Sequence, residues 1–181
     1  PAWGVYIGME AGQRVTTGAQ NVLIGGQAGN KIITGERNVA IGGAAFQEGI
    51  GSSNVMIGDN AGAANTTADG NIFIGRASGE DNTTSAGNTF VGVYTGIDNT
   101  AANNTLIGSS AGKYNTTGSE NTFVGASAGV QNTTGASNTF IGIYSGTSNT
   151  TANYNVFVGT GSGSANTTGT RNVFLGRLAG E

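Results

Sequence analysis

Residues 121–137 read NTFVGASAGVQNTTGAS, and variants of this phrase occupy the whole chain. Its opening five residues recur as NVLIG at 21, NVAIG at 38, NVMIG at 54, NIFIG at 71, NTFVG at 88, NTLIG at 104, NTFIG at 138, NVFVG at 155 and NVFLG at 172. GVYIG at 4 is an eleventh copy in which Gly4 replaces the asparagine. From 4 to 172 the phrase advances in ten steps, eight of 17 residues and two of 16, the short units beginning at Asn38 and Asn88. Residues 1–181 therefore read as one repeat domain. Its last unit stops inside a repeat at Leu178-Ala179-Gly180-Glu181, as expected of a segment of a longer chain.

Glycine, threonine and asparagine make up 79 of the 181 residues, so a helical unit would lose about 0.5–1 kcal/mol at each of several positions relative to good helix formers. The second to fourth positions of each unit are β-branched, aromatic or otherwise mostly apolar and favour a strand. The fifth is glycine in every copy, from Gly8 to Gly176, and the ninth is glycine in all but one, where Phe46 stands. The eighth is always alanine, serine or threonine, and an Asn-Thr-Thr-Gly phrase near the twelfth position ends units such as 115–118 and 132–135. Each unit thus reads as strand, glycine corner, small-residue segment, glycine and turn. The expected fold is all-β: a parallel β-solenoid of about eleven coils, with equivalent residues stacked about 4.8 Å apart.

Stacking turns each position into a column. Position four reads Ile7, Ile24, Ile41, Ile57, Ile74, Val91, Ile107, Val124, Ile141, Val158 and Leu175, whereas position three is mostly Phe from Phe73 onward. Neighbours in a strand face opposite sides, so one apolar column fills the coil and the other lies outside it. An outer strip of that length exceeds what soluble monomers normally expose, and other copies of the chain are the expected cover. The alternative is a lone, flat solenoid that buries both columns between two layers. Stacked asparagines at position one are expected to bond to one another up the rod.

Several function classes drop out. Charged residues are 9% of the chain and the net charge is −3, which leaves no electrostatic footprint for nucleic acid or anionic membrane. Without Cys or His there is no disulfide framework, Cys/His zinc site, thiol nucleophile or histidine triad. The acids Asp59, Asp69, Asp81 and Asp98 fall at differing positions of the unit, unlike the ligands of calcium-binding β-rolls. Glu80 and Asp81 read as solvated loop charge rather than a catalytic pair. The glycines follow the coil and precede no helix, so no phosphate loop is indicated, and neither an enzyme nor a cofactor or metal is expected. The start, Pro1-Ala2-Trp3, is not that of a signal peptide, and no apolar run approaches the ~18 residues of a membrane span.

The phrase Asn-Thr-Phe-Val-Gly at 88 and 121, followed by small residues and an Asn-Thr-Thr-Gly turn, resembles the head repeats of trimeric autotransporter adhesins. It is equally similar to repeats upstream of intramolecular-chaperone domains in bacterial surface proteins and phage tail fibres. The resemblance covers essentially the whole chain. It implies a left-handed parallel β-roll, a parallel homotrimer, and a fibre on a cell surface, the bacterial outer membrane or a virion that attaches to a host glycan or matrix protein. Two features depart from that family: the unit here is longer, and position three is mostly Phe where a small residue is common.

Contact residues of such a fibre are expected where the repeat leaves identity free, at positions six, seven, ten and eleven. Val93, Tyr94, Ile97, Tyr114, Ile143 and Tyr144 are the candidates, since tyrosine supplies contact area at little entropic cost. Packing between neighbouring coils is the alternative role for each. Two other functions compete with attachment. Threonine doublets such as Thr116-Thr117 and Thr133-Thr134 suggest ice binding, although adjacent strand residues point oppositely and do not form two outward rows. A passive spacer is the third. The Asn-Thr-Thr phrases at Asn65, Asn82, Asn115, Asn132, Asn149 and Asn166 match the N-glycosylation pattern, but their regular spacing marks them first as turns.

Overall fold

Three β-branched or apolar residues between an asparagine and a glycine make a strand of only three residues, and every repeat forms one. A computed structural model describes residues 3–181. The strands are β1 (Val5–Ile7), β2 (Val22–Ile24), β3 (Val39–Ile41), β4 (Val55–Ile57), β5 (Ile72–Ile74) and β6 (Thr89–Val91). They continue as β7 (Thr105–Ile107), β8 (Thr122–Val124), β9 (Thr139–Ile141), β10 (Val156–Val158) and β11 (Val173–Leu175). Each pairs in parallel with its neighbours in chain order, and like positions are partners: Thr122 with Thr139, Phe123 with Phe140, Val124 with Ile141. The fold is an all-β parallel solenoid of ten complete coils and the start of an eleventh, wound at the expected period.

The invariant glycine ends each strand for two reasons. Gly125 has φ +139°, a conformation side chains rarely adopt, and a Cβ on it would lie 2.5 Å from the carbonyl of Gly142 in the next coil. The chain then makes consecutive turns. In the eighth coil the Ala128 N–H donates to the Gly125 carbonyl at 3.2 Å, and the Asn132 N–H to the Gly129 carbonyl at 2.9 Å. Outside the strands, backbone bonds still run from coil to coil, as from Gly129 N–H to the Ser145 carbonyl and from Thr133 N–H to the Thr150 carbonyl.

The core is the column at position three. Leu23, Ala40, Met56, Phe73, Phe90, Leu106, Phe123, Phe140 and Phe157 are fully buried, and successive Phe rings stack with centroids 4.8 Å apart. A three-residue strand has a single inward position between two outward ones, so the largest side chain occupies it. Position four lies outside, half-buried in most coils and 40% exposed at Ile141. The lone chain therefore does not bury both columns.

Coil three shows how tightly volume is conserved. Its inward residue is only Ala40, and Phe46, fully buried at position nine, supplies the missing bulk. Position twelve of the same coil is Gly49, where any Cβ would collide with the Phe46 ring. The single break in the ninth-position glycine pattern is thus a compensated exchange within one coil.

Asparagine forms two ladders, and they differ from the expected one. At position one the Oδ1 of each residue accepts from the backbone N–H of the next, as Asn138 N–H to Asn121 Oδ1 at 3.0 Å. Direct side-chain contacts there are few, for example Asn138 Nδ2 to Asn121 Oδ1 at 3.2 Å. The continuous side-chain ladder is at position twelve, where Asn115, Asn132 and Asn149 each donate to the asparagine one coil earlier at 2.6–2.7 Å. All are buried, so each bond removes an otherwise costly orphan group.

Phe123→Ala is expected to cost about 3–5 kcal/mol in urea unfolding, against about 1 kcal/mol for the neighbouring Val124→Ala. Equal losses would contradict the assignment of inner and outer columns.

Candidate ligand-contact surface

Positions six and seven follow the glycine corner, and the seventh takes a left-handed conformation, with φ 59° at Tyr94 and 58° at Tyr144. Val93 is exposed, Tyr94 and Ile97 are half-buried, and Tyr114 is 44% exposed. Lys113 draws the tyrosines together: its Nζ lies 5.7 Å from the Tyr94 ring centroid and 4.9 Å from that of Tyr114. From the coil before, the Arg76 guanidinium sits 4.6 Å from the Tyr94 centroid. Val93, Tyr94, Ile97 and Tyr114 thus form one patch with two cations. Ile143 and Tyr144 repeat the sixth and seventh positions three coils on, about 14 Å along the rod, and are 48% and 55% exposed.

Arg76 and Lys113 lie outside the expected set, whose members are all apolar or aromatic. Both occupy the variable positions singled out in the sequence, Arg76 the sixth and Lys113 the tenth. The signal was their placement one coil either side of a tyrosine. Each cation–π contact stiffens the ring it covers by roughly 0.5–1 kcal/mol at such exposed sites.

Acids adjoin the patch. Burial raises the Glu80 carboxyl above its usual value, with Asp81 and then Asp59 adding to the rise. Asp98 is also raised, by burial first and by Asp81, while Lys113 opposes the shift. Glu80 and Asp81 line a shallow open hollow with Gln47, Glu48, Ala63 and Ala64, and Glu48 is paired with Lys31. Among the described residues no group of three or more acids is placed to hold a metal ion.

The turn residues serve the fold. Asn65, Asn82, Asn115, Asn132 and Asn149 are fully buried, so the folded coil does not present these amides to a glycosyltransferase. In most doublets the first threonine bonds the next coil: Thr116 Oγ1 donates to the Thr133 carbonyl at 2.9 Å, and Thr133 Oγ1 to the Thr150 carbonyl at 3.0 Å. The second threonine is exposed in every doublet, as at Thr117 and Thr134, and the first also at Thr16, Thr83 and Thr167. Comparison with protein-family models, curated proteins and solved structures finds no match.

A carboxyl raised in the folded chain stabilises it while protonated; that contribution is present below the usual Glu value of 4.5 and is lost as pH rises through the raised one. Glu80→Gln is therefore expected to raise the thermal midpoint at neutral pH and to have no effect near pH 3. An equal gain at both pH values would show that the charge is not responsible.

Proposed function

We propose that this chain is a rigid, non-catalytic attachment segment of a surface fibre, on a cell or a virion, that contacts a host glycan or matrix protein. The observation that carries the reading is the corner patch. Two tyrosines, held by Arg76 and Lys113 on a stitched backbone, stand beside exposed Val93 and half-buried Ile97. Side chains already fixed in place lose little entropy when a ligand arrives. The left-handed winding and the parallel homotrimer implied by the family resemblance belong to this reading, and the uncovered strand face favours association. Light scattering separates the assemblies, with a trimer at three times the 17.9 kDa of one chain.

Binding to glycan and matrix-protein arrays tests the attachment itself. Tyr114→Ala and Tyr144→Ala are each expected to weaken a detected interaction about tenfold, about 1.4 kcal/mol. Absence of binding by this segment, alongside binding by its flanking segments, would make it a spacer.

A further inference from the structure

We infer that Asn103 is a glycosylation site of the folded chain, whose side-chain amide takes a sugar from a nucleotide-activated donor. The site is separate from the corner patch and does not depend on it. Seven asparagines stand two residues before a threonine in the acceptor pattern. Six are turn asparagines of the repeat, and the seventh is Asn103, in Asn103-Asn104-Thr105. It arises in one of the two short units. There the turn runs Asn99-Thr100-Ala101, without a second threonine, and the pattern falls instead on the residues leading into β7.

Orientation separates Asn103 from the other six. A transferase must reach the asparagine amide and the threonine hydroxyl two residues on from one side. In the turns these groups face opposite ways: Asn115 and Asn132 are fully buried, while Thr117 and Thr134 are exposed. Asn166 in the last full turn is half-buried, and its Nδ2 donates to the Asn149 Oδ1 and the Gly169 carbonyl. Residues 103–105 alternate as in a strand. Asn104 is fully buried, and its N–H donates to the Asn88 Oδ1 at 2.9 Å. Asn103 is exposed, and Thr105 is half-buried at the outward second position of β7. Asn103 and Thr105 therefore share the outer side.

The fold holds neither group. Among the described residues the Asn103 amide and the Thr105 hydroxyl have no hydrogen-bond partner, whereas the Oγ1 atoms of Thr100 and Thr116 donate to carbonyls one coil on. The corner before Asn103 is also bare, since the same position one and two coils earlier is Gly87 and Gly70. The Asn103 Oδ1 lies against Gly87, where a Cβ would be 2.8 Å away, and Gly70 has open space around it. About 10 Å of corner without side chains leaves room for a sugar beside the coil, where a bulky, solvated group displaces nothing from the core. In the transfer the Asn103 Nδ2 attacks the anomeric carbon of the donor. A carbon–nitrogen bond forms, the bond from that carbon to the phosphate oxygen breaks, the nucleotide diphosphate leaves with the electron pair, and a base of the transferase takes the amide proton.

The test treats the folded, purified chain with a soluble asparagine glycosyltransferase and UDP-glucose, over dilutions that reach the 17.9 kDa single-chain mass in light scattering. One hexose per chain is expected in the intact mass, and peptide mapping should place it on Asn103. Asn103→Gln and Thr105→Val should each abolish it while leaving the far-UV circular dichroism unchanged. A synthetic peptide of residues 111–120 is the unwound control and should be modified at Asn115. Absence of hexose from Asn103 at every dilution, with the peptide modified, would overturn the inference. So would a hexose on Asn115 of the folded chain, or full modification of a folded Thr105→Val.

Discussion

The fold depends on one constraint: a strand of three residues has one inward position, and the residue there must stack on its counterpart 4.8 Å away. Parallel, unstaggered pairing follows, because any slip would set Phe123 against a glycine or an outward residue instead of Phe140. The glycine at position five follows as well: with the coils this close, its backbone approaches the next coil too nearly for a Cβ. The buried asparagines satisfy most of the polar groups that no strand partners, although the Nδ2 atoms of Asn65 and Asn82 at position twelve have no partner.

Because backbone bonds and inward side chains repeat in every coil, stability is shared between neighbours rather than concentrated in one core. That explains why departures are paired locally. Ala40 alone would leave a void, and Phe46 alone would clash; with Gly49 they fill one layer. The apolar Val15 and Ile32 at position twelve precede that coil, and the asparagines there begin after it at Asn65. A change of core chemistry along the rod is thus accommodated within a single turn of the chain.

The winding, its period and the strand positions were legible because the phrase recurs eleven times and glycine is immovable in it. Which apolar column points inward was not. Position three and position four are both apolar, and only the shared face of positions two and four decides it. The asparagine ladder was legible as a ladder but misplaced, since position one faces backbone N–H groups while position twelve stacks side chain on side chain. At the candidate surface the tyrosines were visible as bulk at variable positions. The cations holding them were not, because Arg76 and Lys113 lie in different coils and meet Tyr94 only once the coils are stacked.

Outward positions show what this scaffold permits when nothing constrains them. Position six alone holds Met9, Gly26, Asp59, Arg76, Val93 and Ile143, a range from glycine to arginine. Positions two and four also point outward, yet neither admits a charge, an amide or an aromatic ring in any coil. Strand propensity accounts for β-branching but would equally accept tyrosine, phenylalanine or tryptophan. Burial does not account for it, since Ile72, Ile107, Ile141 and Val156 are 38–40% exposed. An exposed apolar strip on the face of a sheet favours association, and interspersed charge is the usual protection against it. Uniformity therefore carries a cost that the core does not require.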